Sequence, residues 1–153
     1  KVVIAGNHDF CFQDSPDAAR ALMTNCCYLE DSSCTIDGLT VYGTPWQPWF
    51  YDWAFNLQRG SELAARWAQI PDNTDILVVH GPPHGHGDTT IRDEAVGCDE
   101  LLRRIQSIAP KLVVTGHIHE DYGTTREGAT TIVNASTCTL RYEPTNLPVV
   151  IDL

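Results

Sequence analysis

The sequence predicts an α/β fold, and three observations carry that prediction. Three short apolar runs, Val2-Val3-Ile4-Ala5, Ile76-Leu77-Val78-Val79 and Leu112-Val113-Val114, each stop at glycine or a polar group, the pattern of strands buried on both faces. Between the second and third lies a single amphipathic helix pattern over 98–108, so that 76–115 reads as strand, helix, strand in a right-handed parallel crossover. Beyond residue 120 the chain alternates strand-like runs with turns, which makes a β-rich tail. No Ser/Pro/Gly-rich linker divides the 153 residues, and 42% hydrophobic content suffices for one sizeable core. Residues 1–153 are therefore expected to form a single domain.

Taken in chain order, residues 2–5 are the first strand and Gly6-Asn7-His8-Asp9 its loop. Asp14-Ser15-Pro16 is a helix start, with proline in the first turn of a short helix over 17–24. Runs 34–36 and 39–42 flank Asp37-Gly38, a dipeptide that favours a tight hairpin turn. Residues 44–53 form a proline-interrupted aromatic loop containing Trp46, Trp49 and Trp53. Residues 59–70 follow as a helix, with Leu63 and Trp67 at i and i+4, ending before Pro71. The 98–108 helix carries Asp99 and Glu100 in its first turn, where acidic groups meet the positive end of the dipole. Its apolar stripe is Leu101, Leu102, Ile105 and Ile108, and Pro110 stands just past its end. Strands are expected at 111–115, 122–126, 129–133, 137–142 and 149–152, with Glu127-Gly128 as a turn.

Ligand sites of open α/β sheets lie just outside the carboxyl ends of strands. There the first run delivers Asn7, His8 and Asp9, the second His80, and the third His117 and His119. Gly6, Gly81 and Gly116 let the backbone turn and approach a bound ion or phosphate without a Cβ in the way. A single histidine after a strand is as often a satisfied polar residue as a ligand. Recurrence at three strand ends is what points to a site, and the two other histidines, His84 and His86, share a loop with His80. Neutral imidazole and amide oxygen suit Mn²⁺, Fe or Zn²⁺, and a carboxylate behind a histidine fixes its tautomer.

These residues resemble a known family, the calcineurin-like metallophosphoesterases, whose ordered signature is D-x-H, G-D, G-N-H-D/E, an isolated H, and G-H-x-H. The last three blocks stand here as Gly6-Asn7-His8-Asp9, His80 and Gly116-His117-Ile118-His119. The stretches HGPPHGHGD, GCDELLRRIQSIAPKLVVTGHIHEDYG and VNASTCTLRYEPTNLPVVIDL are similar to the MPPED branch, the metallophosphoesterase-domain-containing proteins. The resemblance implies an α-β-β-α sandwich, here a partial metallophosphoesterase domain lacking its first βα units. It implies that Asn7, His80 and His117 ligate the second of two metals and His119 the first. His8 would touch the phosphate and protonate the leaving oxygen, with Asp9 orienting its ring. Two divalent ions about 3.5–4 Å apart would generate a bridging hydroxide and clamp the phosphoryl oxygens. Mn²⁺ is the expected ion, with Fe, Zn²⁺, Mg²⁺ and Ni²⁺ also admitted by the donor types.

The sequence also departs from the family. Upstream of Gly6 there is no D-x-H and no G-D block, and the chain opens at Lys1 in mid-strand. Those blocks should hold an Asp and a His on the first metal and the Asp that bridges both. The chain is thus expected to be the C-terminal part of a longer phosphoesterase. In the segment His80-Gly-Pro-Pro-His84-Gly-His86-Gly-Asp88, the family pattern needs only His80. His84 and His86 are candidates for substrate contact, at the rim of the site.

Composition narrows the partners. A formal charge of −10 argues against a nucleic-acid-coating surface, and no run approaches the ~20 apolar residues of a membrane span. The six cysteines form no C-x-x-C spacing and read as reduced thiols of a cytoplasmic protein. Asn134-Ala135-Ser136 matches a glycosylation acceptor by pattern alone and reads as a turn after a strand. An incomplete sandwich would expose a sheet face and a raw edge, so self-association is expected. Three functions remain. The first is a phosphodiesterase acting on nucleotides, cyclic nucleotides or another small phosphodiester, with aromatic rings of 44–53 either stacking on the base or filling the core. The second is a non-catalytic nucleotide or metal binder. A redox or structural zinc module is disfavoured because the cysteines lack ligand spacing.

Overall fold

The computed structural model describes all residues from Lys1 to Leu153. Its elements are β1 (Val2–Val3), α1 (Phe10–Asp14), α2 (Pro16–Ala21), β2 (Cys27–Tyr28), β3 (Ser32–Ile36), β4 (Leu39–Thr44), β5 (Gln47–Pro48) and β6 (Asn56–Leu57). The second half contains α3 (Ser61–Trp67), β7 (Ile76–Val79), α4 (Asp99–Ile108), β8 (Leu112–Thr115), a 3-10 turn at His119–Asp121, β9 (Gly123–Glu127) and β10 (Thr130–Asn134).

Six strands make one mixed sheet in the order β3-β4-β7-β8-β10-β9. β4, β7, β8 and β10 run parallel, while β3 and β9 close the edges antiparallel. Connection length explains the split. α3 bridges β4 to β7 and α4 bridges β7 to β8, as helical crossovers do between parallel strands, whereas β3 and β4 meet through Asp37 and Gly38 alone. Both of these have positive φ, 49° and 81°, as a two-residue type I′ turn demands.

One face of the sheet holds the core. Leu77, Val79, Val113 and Ile132 cluster with Leu63 and Trp67 of α3 and Leu101 and Ile105 of α4, each at most 1% exposed. Burial of each such side chain contributes about 1.5–3 kcal/mol. The i, i+4 spacing that the sequence offers on both helices is what presents these residues together. Cys98 joins this cluster as the N-cap of α4. Its Sγ accepts the Leu101 N–H at 3.4 Å and the Trp67 Nε1–H at 3.3 Å, and burial, the first cause, pushes the thiol pKa up.

The opposite face is covered only in part, which corrects the expectation of strands buried on both sides. Ile76, Val78 and Val114 are half-buried, because the second layer is small. It consists of β1 and β2, paired in parallel, resting on β4 at Gly43. A Cβ at Gly43 would lie 2.4 Å from Leu29 Cβ and 2.8 Å from Ile4 Cγ2. Ala5, Ala54 and Phe55 form a satellite cluster there with Phe12, Tyr28 and Trp46.

One helix is added to the expected elements, and other local expectations are revised. Helix α1 over Phe10–Asp14 was not legible, since it buries no residue and so shows no apolar stripe. Helix α2 stops at Ala21 rather than 24, with only Ala19 buried to extend a stripe. Helix α3 begins at Ser61 because Gly60 has φ +87°. The expected strands at 137–142 and 149–152 do not form, and neither segment pairs with the edge strands β3 and β9 of the sheet. The tail satisfies its backbone locally instead, through Tyr142 N–H to Thr139 O at 2.8 Å and Asn146 N–H to Thr137 O at 3.1 Å.

Candidate metal centre and cavity

The loops after β1, β7 and β8 converge on one place. Asn7 is buried, His80 and His117 are half-buried, and their donor atoms meet. His80 Nε2 lies 2.8 Å from Asn7 Oδ1 and 3.1 Å from His117 Nδ1. The backbone supports this meeting in three ways. The Gly116 N–H donates to His80 O at 3.1 Å, tying the second loop to the third. Gly6 has no side chain because the His80 ring fills that space, with Cε1 2.7 Å from where a Cβ would stand. His117 has φ +66°, and the Ile118 N–H donates to Gly116 O at 2.8 Å across it. A non-glycine residue there is strained by about 1–3 kcal/mol, as residues at functional sites often are.

Electrostatics keep the donors neutral. Burial, then the nearby His117, His8 and His119, lowers the His80 pKa to about 3. Burial, then His119 and His8, lowers that of His117 to about 4 against the opposing Glu120. Both rings therefore carry a free lone pair at neutral pH, the state in which imidazole binds metal. His119 Nδ1 lies 3.1 Å from Thr139 O. A carbonyl only accepts, so Nδ1 carries the proton and Nε2 is the free donor, an arrangement typical of ligating histidines.

These residues fit one cation. Donors about 2.1 Å from an ion and at right angles stand about 3.0 Å apart, which matches the 2.8 and 3.1 Å from His80 Nε2 to Asn7 Oδ1 and to His117 Nδ1. They do not fit two. No three His, Cys, Asp or Glu side chains are grouped to hold an ion, the trio above needs an amide as its third donor, and His119 stands without a carboxylate partner.

The trio belongs to a cavity of about 520 Å³, with His8 and His119 also in its lining. Trp49, Phe50, Trp53, Leu140 and Tyr142 give it aromatic and apolar walls, and Arg59 and Glu120 are the charged residues. His8 is exposed and packs edge-on against Trp53, with ring centroids 4.2 Å apart. Asp9 caps the turn, accepting the Gly6 N–H at 2.7 Å. The aromatic loop divides between both of its expected roles. Trp46 is a packing residue, its Nε1–H bonded to Asp31 at 2.8 Å and the Arg66 guanidinium stacked 4.4 Å from its ring centre, whereas Trp49 and Trp53 face the cavity.

His84 and His86 are not among the cavity residues. His86 bonds Thr125 Oγ1 at 2.9 Å and Glu127 Oε2 at 3.2 Å on β9. His84 Nδ1 lies 3.5 Å from the buried Asp88, whose Oδ2 accepts the N–H groups of Gly85 and Gly97 at 3.0 and 2.9 Å. The structure thus gives the histidine-rich loop an internal scaffold. Arg59, Leu140 and Tyr142 line the cavity with no local signal in the sequence, since the chain folds back from distant positions to place them.

The profile described as calcineurin-like phosphoesterase matches residues 1–121. Metallophosphoesterase domain-containing protein 1 of Homo sapiens is 45% identical over 178 residues, covering 100% of this chain and 55% of its own length, and the Mus musculus protein of that name gives the same figures. A UPF0046 protein of Caenorhabditis elegans is 38% identical, with 100% of this chain and 46% of its own covered. The chain thus spans about half the length of these relatives. One solved crystal structure superposes with a TM-score of 0.67 at 21% identity, covering 88% of this chain and 56% of that one. TT1561 of Thermus thermophilus gives 0.56 at 16% identity, with 88% and 62% covered. At those identities the likeness is one of fold.

Proposed function

This chain belongs to the calcineurin-like phosphoesterases, hydrolases that use divalent metal ions, and from that premise we propose that it is a phosphodiesterase acting on nucleotides or cyclic nucleotides. The observation that carries the reading is the meeting of Asn7 Oδ1, His80 Nε2 and His117 Nδ1 in a cavity walled by aromatic rings. A divalent ion held by those three donors, Mn²⁺ by expectation, would supply Lewis-acid polarisation of the phosphoryl oxygens. The chain's own residues do the remaining work. Trp49, Phe50 and Tyr142 offer faces on which a base stacks, worth about 1–3 kcal/mol per base. As water adds to phosphorus and the ester P–O bond breaks, His8 gives a proton to the departing oxygen. Trp53 holds the His8 ring edge-on, and Asp9 keeps its loop closed. His119, its Nδ1 proton committed to Thr139 O, presents Nε2 to the cavity. Six free cysteines accord with a reducing, cytoplasmic location.

One observation favours a second reading, a metal or nucleotide binder without turnover. The only assembled donor set contains no carboxylate. The two readings separate in one assay, Mn²⁺-dependent hydrolysis of bis(p-nitrophenyl) phosphate by the purified chain. Turnover that His117→Ala abolishes supports the enzyme. Mn²⁺ binding without turnover supports the binder, and turnover that survives both His117→Ala and His80→Ala excludes the site described.

A further inference from the structure

Arg59 is the one Lys or Arg among the cavity residues. In a chain of net charge −10, an arginine that reaches a site usually meets a carboxylate, but none of the ion pairs of the fold includes Arg59. Its partners are neutral. NH1 donates to Gly97 O at 2.7 Å and NH2 to Val96 O at 2.6 Å. Those carbonyls are themselves rigidly held, because the Gly97 N–H is bonded to buried Asp88 and a Cβ at Gly97 would stand 2.5 Å from Pro83 O. Cys98, the next residue, caps α4. The guanidinium is thus locked in orientation, uncompensated in charge, and left with the other N–H groups of its five-donor fork unused.

The cavity therefore has two separate points that attract anions. One is a divalent ion that Asn7, His80 and His117 would hold, and the other is the exposed Arg59 at the rim. Glu120, the acid of the lining, is engaged with the Ile91 N–H at 3.1 Å and does not pair with Arg59. A planar fork with fixed N–H directions suits a phosphate better than a neutral group, and charge-assisted bonds to it are about twice as strong as neutral ones.

We propose that Arg59 is a specificity residue that receives a second phosphate of the substrate, so that the cavity selects esters of the nucleoside diphosphate class over esters with one phosphate. This rests on the reading that the trio takes the scissile phosphoryl group.

The test is titration of the Mn²⁺-loaded chain with inorganic pyrophosphate and with inorganic phosphate, read by quenching of Trp49 and Trp53. Pyrophosphate is expected to bind about tenfold more tightly than phosphate. Arg59→Gln removes that ratio, and Arg59→Lys, which keeps charge without the fork, lowers it in part. Should Arg59→Gln not fold by circular dichroism, Arg59→Lys decides alone. Absence of the preference in the wild-type chain, an unchanged ratio in the variants, or equal weakening of both anions would overturn the proposal, the last because a mere loop latch acts on both alike. Bis(p-nitrophenyl) phosphate hydrolysis on the same preparations separates the two readings. Preference without hydrolysis removes the catalytic reading only, and hydrolysis without preference removes the role of Arg59 only.

Discussion

At Gly6 a missing atom matters more than a present one. The His80 ring occupies the volume of the absent side chain, so Gly6→Ala is expected to push the imidazole off the point it shares with Asn7 and His117. Mn²⁺ affinity by titration calorimetry should fall about tenfold or more, while the core under α3 and α4 stays intact. Unchanged affinity would sink the assignment of these donors. A second expectation follows from the depressed pKa values of His80 and His117, about 3 and about 4. An unfolded histidine takes up its proton near pH 6.5, which the folded rings refuse. Their contribution to stability is therefore complete above pH 6.5 and is lost as pH falls through that value toward 4 and 3. The metal-free chain should melt at a lower temperature at pH 5.5 than at pH 7.5, and His80→Gln should flatten that dependence. Equal melting temperatures at the two values would contradict the buried neutral rings.

At the scale of elements, α4 is held by its start and its stripe. Cys98 accepts bonds from both Leu101 and Trp67, so the cap of one helix is also a contact with the other. Cys98→Ala removes the acceptor and leaves the Trp67 Nε1–H buried without a partner, a loss of about 1–3 kcal/mol. Leu101→Ala, which empties a fully buried position between the same helices, is expected to cost about 2–5 kcal/mol. Urea denaturation measures both, and a neutral Leu101→Ala would mean that α4 does not pack as described. With no exposed surface on Cys98, thiol reagents should modify it only upon unfolding. The β7-α4-β8 unit also explains the site's location, because parallel strands bring His80 and His117 out at the same end of the sheet.

Across the whole molecule, the second layer is the weak part. β1 pairs with β2 on one side only, and half-buried Ile76, Val78 and Val114 lie on the thinly covered face. Such an edge recruits further strands, while a net charge of −10 keeps copies apart at low ionic strength. Light scattering should therefore show mass rising with protein concentration, more so in about 0.5 M salt, where the Debye length falls to roughly 4 Å. Val2→Lys should reduce it. A monodisperse monomer under all these conditions would show that the edge is already protected.

The sequence by itself determined the parts governed by period and local chemistry. Apolar runs stopped by a polar residue and then glycine marked β7 and β8, Asp37-Gly38 marked the hairpin, and the helical stripe with its acidic first turn marked α4. Asn7, His80 and His117 were legible as one group because each follows such a run, so that strand placement carried the residue with it. Tertiary structure alone decided which other side chains face the cavity. Arg59 meets Gly97 across 38 positions, and His86 turns to Glu127 across 41, contacts that no local period encodes. The division of Trp46 from Trp49 and Trp53 has the same origin, since Asp31 and Arg66 reach Trp46 from other elements. The tail strands failed for a related reason. Their composition suits a strand, but the tail closes hydrogen bonds on itself, Tyr142 N–H to Thr139 O among them, instead of pairing with an edge of the sheet.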